Sequence, residues 1–185
     1  MIILASASPR RRELLGLITG DFAVVVSDVD EASDITDPAE LVRHLAERKA
    51  SDVFAQRQDD IVIGADTVVY IDGKILGKPA DDAQARAMIG LLQGNTHVVH
   101  TGVCVLSAGA KSVKSCATEV TFAPMKQEEI DRYIAAGDVL DKAGAYAIQG
   151  NAAPFIERIN GCFFNVVGLP LNMLYGMLQE HTTLV

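Results

Sequence analysis

Asp66 interrupts an apolar, β-rich run, with Ile61-Val62-Ile63-Gly64-Ala65 before it and Val68-Val69-Tyr70-Ile71 beyond Thr67. An unpaired buried carboxylate is costly, so Asp66 needs a cationic partner, several hydrogen-bond donors, or a strand end facing a cleft. Gly64, two residues earlier, permits a bend or a close approach by another group. The alternative is a structural aspartate that ties down a strand turn. Lys49 poses the same question for a cation. Leu41, Val42, Leu45, Ala46, Ala50, Val53 and Phe54 recur with helical spacing, and Lys49 falls inside their stripe. A lysine there either snorkels out along its apolar stem or reaches a buried anion.

A third group lies near the N-terminus, where Ser6 and Ser8 lead into Pro9, Arg10, Arg11 and Arg12. Proline suits a first helical turn, so a helix is expected to begin near Pro9. Cations are disfavoured at a helix start, where free N–H groups are already positive, so the arrangement attracts an anion. Two hydroxyls, N–H groups and guanidinium forks suit a phosphate; an exposed basic turn is the alternative. Gly77-Lys78-Pro79 follows a strand and precedes a helix, where α/β proteins commonly place ligand contacts, though such a tripeptide is most often a surface loop. Asp30-Glu31 reads either as part of a solvated acidic loop or as a magnesium ligand or its shell.

Other chemistries find little support. No Gly-x-x-x-x-Gly-Lys-Ser/Thr loop occurs, which argues against a common ATPase. No Gly-x-Ser-x-Gly elbow is present either. His97 and His100 are three apart on an expected strand, hence on opposite faces, and are poorly placed to share a metal. Cations grouped with carboxylates, without a recognisable covalent nucleophile, suit metal-assisted phosphoryl chemistry.

The elements that must hold these residues emerge from periodicity and punctuation. Strands are expected at Ile2–Leu4, Phe22–Val26, across Ile61–Ile71 with an interruption at Gly64-Ala65-Asp66-Thr67, and at Lys74–Leu76 after an Asp72-Gly73 hairpin signal. Further strands are expected at Thr96–Leu106 and Ser112–Phe122, with short ones at Tyr146–Ile148 and Phe155–Ile159. Helices are expected from Pro9, from Pro38 to about Ala55, from Asp81-Asp82 to Gly94, from Met125 to Ala136, and from Pro170 onward. Strand–helix alternation succeeded by hairpins gives an α/β domain with a mixed sheet.

The 185 residues suit one domain, with room for two lobes, and a 49% hydrophobic fraction supports a full core without disulfide staples. Cys104, Cys116 and Cys162 are odd in number and lack metal-ligand spacing, so reduced thiols and a cytoplasmic home are expected. No signal peptide or membrane span is expected. A net charge of −8 argues against stable nucleic-acid binding, yet leaves room for a nucleotide held by local cations.

Seven blocks in order make the pattern specific: Ser6-Ala7-Ser8-Pro9-Arg10-Arg11, Asp30-Glu31, Leu45-Ala46 with Lys49-Ala50, Gly64-Ala65-Asp66-Thr67-Val68-Val69, Gly77-Lys78-Pro79, Asp141-Lys142-Ala143-Gly144-Ala145-Tyr146, and Val167-Gly168-Leu169-Pro170. Nearly the whole chain thus resembles the Maf family of nucleoside triphosphate pyrophosphatases. The resemblance implies a Maf-like (inosine triphosphatase-like) α/β fold over residues 1–185, with a mixed curved sheet flanked by helices and two lobes with a central cleft. It implies hydrolysis of a nucleoside triphosphate between the α- and β-phosphorus atoms, giving a monophosphate and pyrophosphate. Ser6, Ser8, Arg10, Arg11, Lys49 and Lys78 would hold the triphosphate. Glu31 and Asp66 would hold Mg2+, or another divalent cation such as Mn2+, and Asp66 would orient and deprotonate the water.

The stretch Gly144 to Gly150 is similar to the branch of the family acting on dTTP and UTP, although Ala147 stands where glycine is common. In that branch the positions matching Arg10, Thr67 and Gln149 are associated with substrate selection. A glutamine amide carries donor and acceptor and matches the N3–H and O4 of uracil or thymine; a residue at a loop–strand boundary is the plainer alternative. A nucleotide-binding regulator of cell division and a house-cleaning pyrophosphatase preferring purine or modified bases are the competing readings. A homodimer is compatible with the resemblance.

Overall fold

The computed structural model describes residues 1–137 and 139–181, so Asp138 and the last four positions of the expected domain lie outside the described residues. Among the described residues seven strands form one sheet: β1 (Ile2–Leu4), β2 (Phe22–Val24), β3 (Ile61–Ile71), β4 (Lys74–Leu76), β5 (Thr96–Ser107), β6 (Ala110–Phe122) and β7 (Ile156–Asn160). The order is β2-β1-β3-β5-β6-β7, with β4 paired to β3. Parallel pairing of β1 with β2 and β3, and antiparallel pairing of β3 with β4 and β6 with β7, make the sheet mixed. Among the described residues the helices are α1 (Pro9–Leu15), α2 (Pro38–Phe54), α3 (Asp82–Leu92), α4 (Gln127–Ala135), α5 (Phe163–Val167) and α6 (Leu171–His181).

The described residues divide into two compact units: 1–66, 101–116 and 168–181 form the first, and 67–100, 117–137 and 139–167 the second. In the first, α2 packs on the sheet through Ala46, Ala50 and Val53, against Ile3, Val62, Cys104 and Leu106. Two glycines let the helix backbone approach. A Cβ on Gly64 would sit 2.7 Å from Ala50 N, and one on Gly102 would sit 2.7 Å from Arg43 N. No side chain fits in either place, so β3 and β5 must carry glycine under α2. Asp37 caps this helix by accepting from Glu40 N at 2.7 Å, and Pro38 occupies its first turn.

In the second unit, α3 packs against α4 and against a short 3₁₀ turn at Ala143–Ala145. Asp81 caps α3 by accepting from Gln84 N. His97, Phe122 and Tyr146 form a buried cluster, with ring centroids 5.0 to 5.5 Å apart. Asp72 and Gly73, both at positive φ, form the expected turn between β3 and β4.

The fold departs from the sequence pattern in several places. The run Ile61–Ile71 is one continuous strand, because Gly64 accommodates α2 and Asp66 has partners of its own. Tyr146–Ile148 forms no strand: two left-handed residues, Gly144 (φ 67°) and Ala145 (φ 61°), precede it, and the Tyr146 hydroxyl is bonded to His97. The second strand ends at Val24 instead of Val26. The helix α5 has no signal in the sequence, since five residues reading Phe-Phe-Asn-Val-Val carry no helical periodicity.

All three cysteines are free thiols, and burial pushes the Cys104 thiol up to about 12, so it is chemically quiet. Among the described residues no helix is long and apolar enough to cross a membrane.

Candidate functional site

Helical spacing places Lys49 on the inner side of α2, one position before the contact of Ala50 with the sheet. Its stem is therefore covered, leaving the side chain 11% exposed. The lysine does not snorkel to solvent. Its ammonium donates to Asp66 Oδ1 at 2.7 Å and meets Glu31 Oε1 at 2.7 Å. Asp66 stands in mid-strand on β3 with its side chain 10% exposed, so the strand-end alternative does not apply. The carboxylate is stabilised by the lysine instead. Glu31 arrives from the irregular acidic segment between β2 and α2, and its side chain stays half exposed.

Ser8 caps α1 by accepting from Arg11 N, and buried Ser6 accepts from Ser8 N at 3.3 Å. The Arg11 side chain turns back under this segment. Its Nε donates to Gly168 O at 2.8 Å, and its Nη1 donates to Ala65 O at 2.9 Å and Ser6 Oγ at 3.2 Å. Burial holds the guanidinium below its ordinary pKa, while Asp66 and Glu31 oppose that shift and Arg10 adds to it. Arg11 thus fixes the loop after β1, the residue before Asp66, and the glycine ahead of α6 relative to one another. Arg10 is half-buried on the same helix.

The first unit therefore brings together Ser6, Ser8, Arg11, Glu31, Lys49 and Asp66: hydrogen bonds join Arg11 to the serines and to Ala65, and ion pairs join the lysine to both carboxylates. Arg10 lies beside them in sequence. The remaining predicted residues belong to the second unit: half-buried Thr67, exposed Lys78 and exposed Gln149. Gly77, just before Lys78, accepts from Gly144 N at 3.0 Å.

Glu31 and Asp66 match the one or two protein carboxylates that a divalent cation takes beside water and phosphate oxygens; because Lys49 engages Oε1 of one and Oδ1 of the other, a cation would use their remaining oxygens. Among the described residues no three His, Cys, Asp or Glu side chains cluster, so a cage built from protein alone is absent there. Asp30 is used locally, with Oδ1 accepting from Ala32 N at 3.0 Å. A shallow hollow elsewhere in the first unit, lined by Val29, His44, Glu47, Arg48, Ser51 and Asp52, contains none of the predicted residues.

Two contacts have no sign in the sequence: Lys142, 4% exposed, pairs with Asp141 at 2.6 Å, and the Tyr133 hydroxyl donates to Ala145 O at 3.0 Å. A lysine between Asp141 and Ala143 gives no periodic sign of burial, and Tyr133 reads as an ordinary core residue of α4.

Known proteins are similar to this chain over nearly its full length. A dTTP/UTP pyrophosphatase from Pelotomaculum thermopropionicum is 48% identical over 183 residues, covering 97% of this chain and 95% of its own. One from Thermococcus onnurineus is 48% identical, covering 97% of each. One from Bacillus cytotoxicus is 49% identical, covering 96% of this chain and 94% of its own. The Ham1 protein of Staphylococcus aureus shares the fold with a TM-score of 0.55, covering 98% of this chain and 99% of its own at 14% identity. The profile of the Maf-like protein family matches residues 1–181, and the chain belongs to that family.

Proposed function

We propose that this protein is a nucleoside triphosphate pyrophosphatase acting on dTTP and UTP in the cytoplasm. The observation that carries the reading is the Lys49 ammonium bridging a buried Asp66 and a half-exposed Glu31. Relatives named dTTP/UTP pyrophosphatase, 48% and 49% identical, support the substrate class.

Each residue then has a definable task. Ser6, Ser8, Arg10, Arg11, Lys49 and Lys78 offer hydroxyls and cations to the triphosphate, with Arg11 also bracing its neighbours through backbone carbonyls. Glu31 and Asp66 would hold a divalent cation, magnesium or manganese, which when bound neutralises phosphate charge. Asp66 accepts a proton from water as its oxygen bonds to the α-phosphorus. The bond from that phosphorus to the α,β-bridging oxygen breaks, and pyrophosphate leaves with the electron pair. Thr67 and Gln149 select the base, Gln149 by pairing with the N3–H and O4 of a pyrimidine.

Pyrophosphate release across a panel of triphosphates, with and without divalent cation, tests this. Turnover of dTTP and UTP that needs the cation is expected. Binding without turnover would overturn the enzyme reading, and preferential purine turnover would overturn the base assignment.

A further inference from the structure

Ala145 holds a backbone conformation (φ 61°) that alanine adopts only under restraint, and it sits in a turn of the second unit beside Gly144 (φ 67°). The restraints are specific. Ala145 N donates to Lys142 O at 3.0 Å, and Ala145 O accepts from the Tyr133 hydroxyl at 3.0 Å. The next residue, Tyr146, is bonded through its hydroxyl to His97 Nε2 at 2.7 Å. Gly144 is pressed so closely on Val69 that a Cβ there would lie 2.9 Å from Cγ2. Tyr133, His97 and Tyr146 are all buried. Held this way, the turn aims Gly144 N–H at Gly77 O, at 3.0 Å, immediately before the exposed Lys78.

We infer that Tyr133 and the His97–Tyr146 pair are positioning residues: by locking the left-handed Ala145 they hold Gly77 and thereby set Lys78 for the triphosphate. This rests on the proposed triphosphate role of Lys78. Alanine pays a steric cost in the left-handed region that glycine does not, and the buried hydroxyl on its carbonyl offsets that cost.

A double-mutant cycle with dTTP decides the matter. Tyr133→Phe removes the hydroxyl that bonds Ala145 O and should raise KM about fivefold, the worth of one hydrogen bond. The kcat should stay within about twofold, as for lost binding shared by ground and transition states. In a Lys78→Ala background the same substitution should add less than about twofold, since its effect runs through Lys78. Tyr146→Phe, which removes the bond to His97, should repeat the pattern. Ala145→Gly should restore KM in Tyr133→Phe, because glycine adopts the left-handed backbone unaided.

Equal factors in both backgrounds, or a lower Tm with unchanged KM, would overturn the inference. If the wild-type protein turns over neither dTTP nor UTP, the proposed function fails. The calorimetric Kd of dTTP for the same four proteins then decides the positioning role: coupling supports it, while additivity or absence of binding overturns it.

Discussion

Lys49 Nζ and Asp66 Oδ1 stand 2.7 Å apart, joining the covered face of α2 to the middle of β3. Each charge makes the burial of the other tolerable, and Glu31 supplies a second carboxylate from the solvent side. The pairing has separable consequences for catalysis and for stability.

Asp66→Asn should lower kcat for dTTP by about 100-fold to 10,000-fold, the usual reach of a general base. Lys49 would keep its contact with Glu31, so the variant should remain folded. Pyrophosphate release and a thermal melt on the same preparation check both halves.

Lys49→Ala should act on both properties. It strands the Asp66 carboxylate without its ammonium, which should destabilise the fold by about 3 to 5 kcal/mol. It should also raise KM for triphosphate. Urea titration and steady-state kinetics measure the two, and an unchanged KM with unchanged rate would refute the ligand role.

Gly64→Ala should disrupt the site without touching any charged residue. Its methyl group would run into the backbone of α2 at Ala46 and Ala50. Ala50 is the neighbour of Lys49, and Gly64 lies two positions before Asp66, so the clash would push the two charged partners apart. Overpacking of this kind costs about 1 to 3 kcal/mol. The expected outcome is a lower melting temperature together with reduced activity.

Acid should weaken the second unit through His97. Burial lowers its pKa from the ordinary 6.5 to about 4, so the folded protein refuses a proton that the unfolded chain accepts. Stability should therefore fall as pH drops from about 6.5 to about 4 and level off below, with a loss of about 3 kcal/mol for a shift of this size. His97→Gln should flatten that part of the stability profile, whatever its effect at neutral pH.

Gln149→Ala should change the preference between pyrimidine and other triphosphates more than it changes the rate on either. A substrate profile identical to wild type would remove its base-reading role.

The local chemistry of the chain was enough to specify most elements. Pro9, Asp37-Pro38 and Asp81-Asp82 mark helix starts, and Asp72-Gly73 marks a hairpin turn, because caps and turns depend on adjacent residues. The odd placement of Lys49 and Asp66 was equally visible, since a charge in an apolar repeat can be detected by spacing alone. Their partnership was not. It joins positions 17 apart, and Arg11 reaches Ala65 and Gly168 across 54 and 157 positions. Such contacts depend on how closely α2 and β3 pack and where the loop after β1 lies. The left-handed Ala145 likewise has no local signature, because the contacts around it come from distant positions: its carbonyl accepts from the Tyr133 hydroxyl, and its neighbour Tyr146 is bonded to His97.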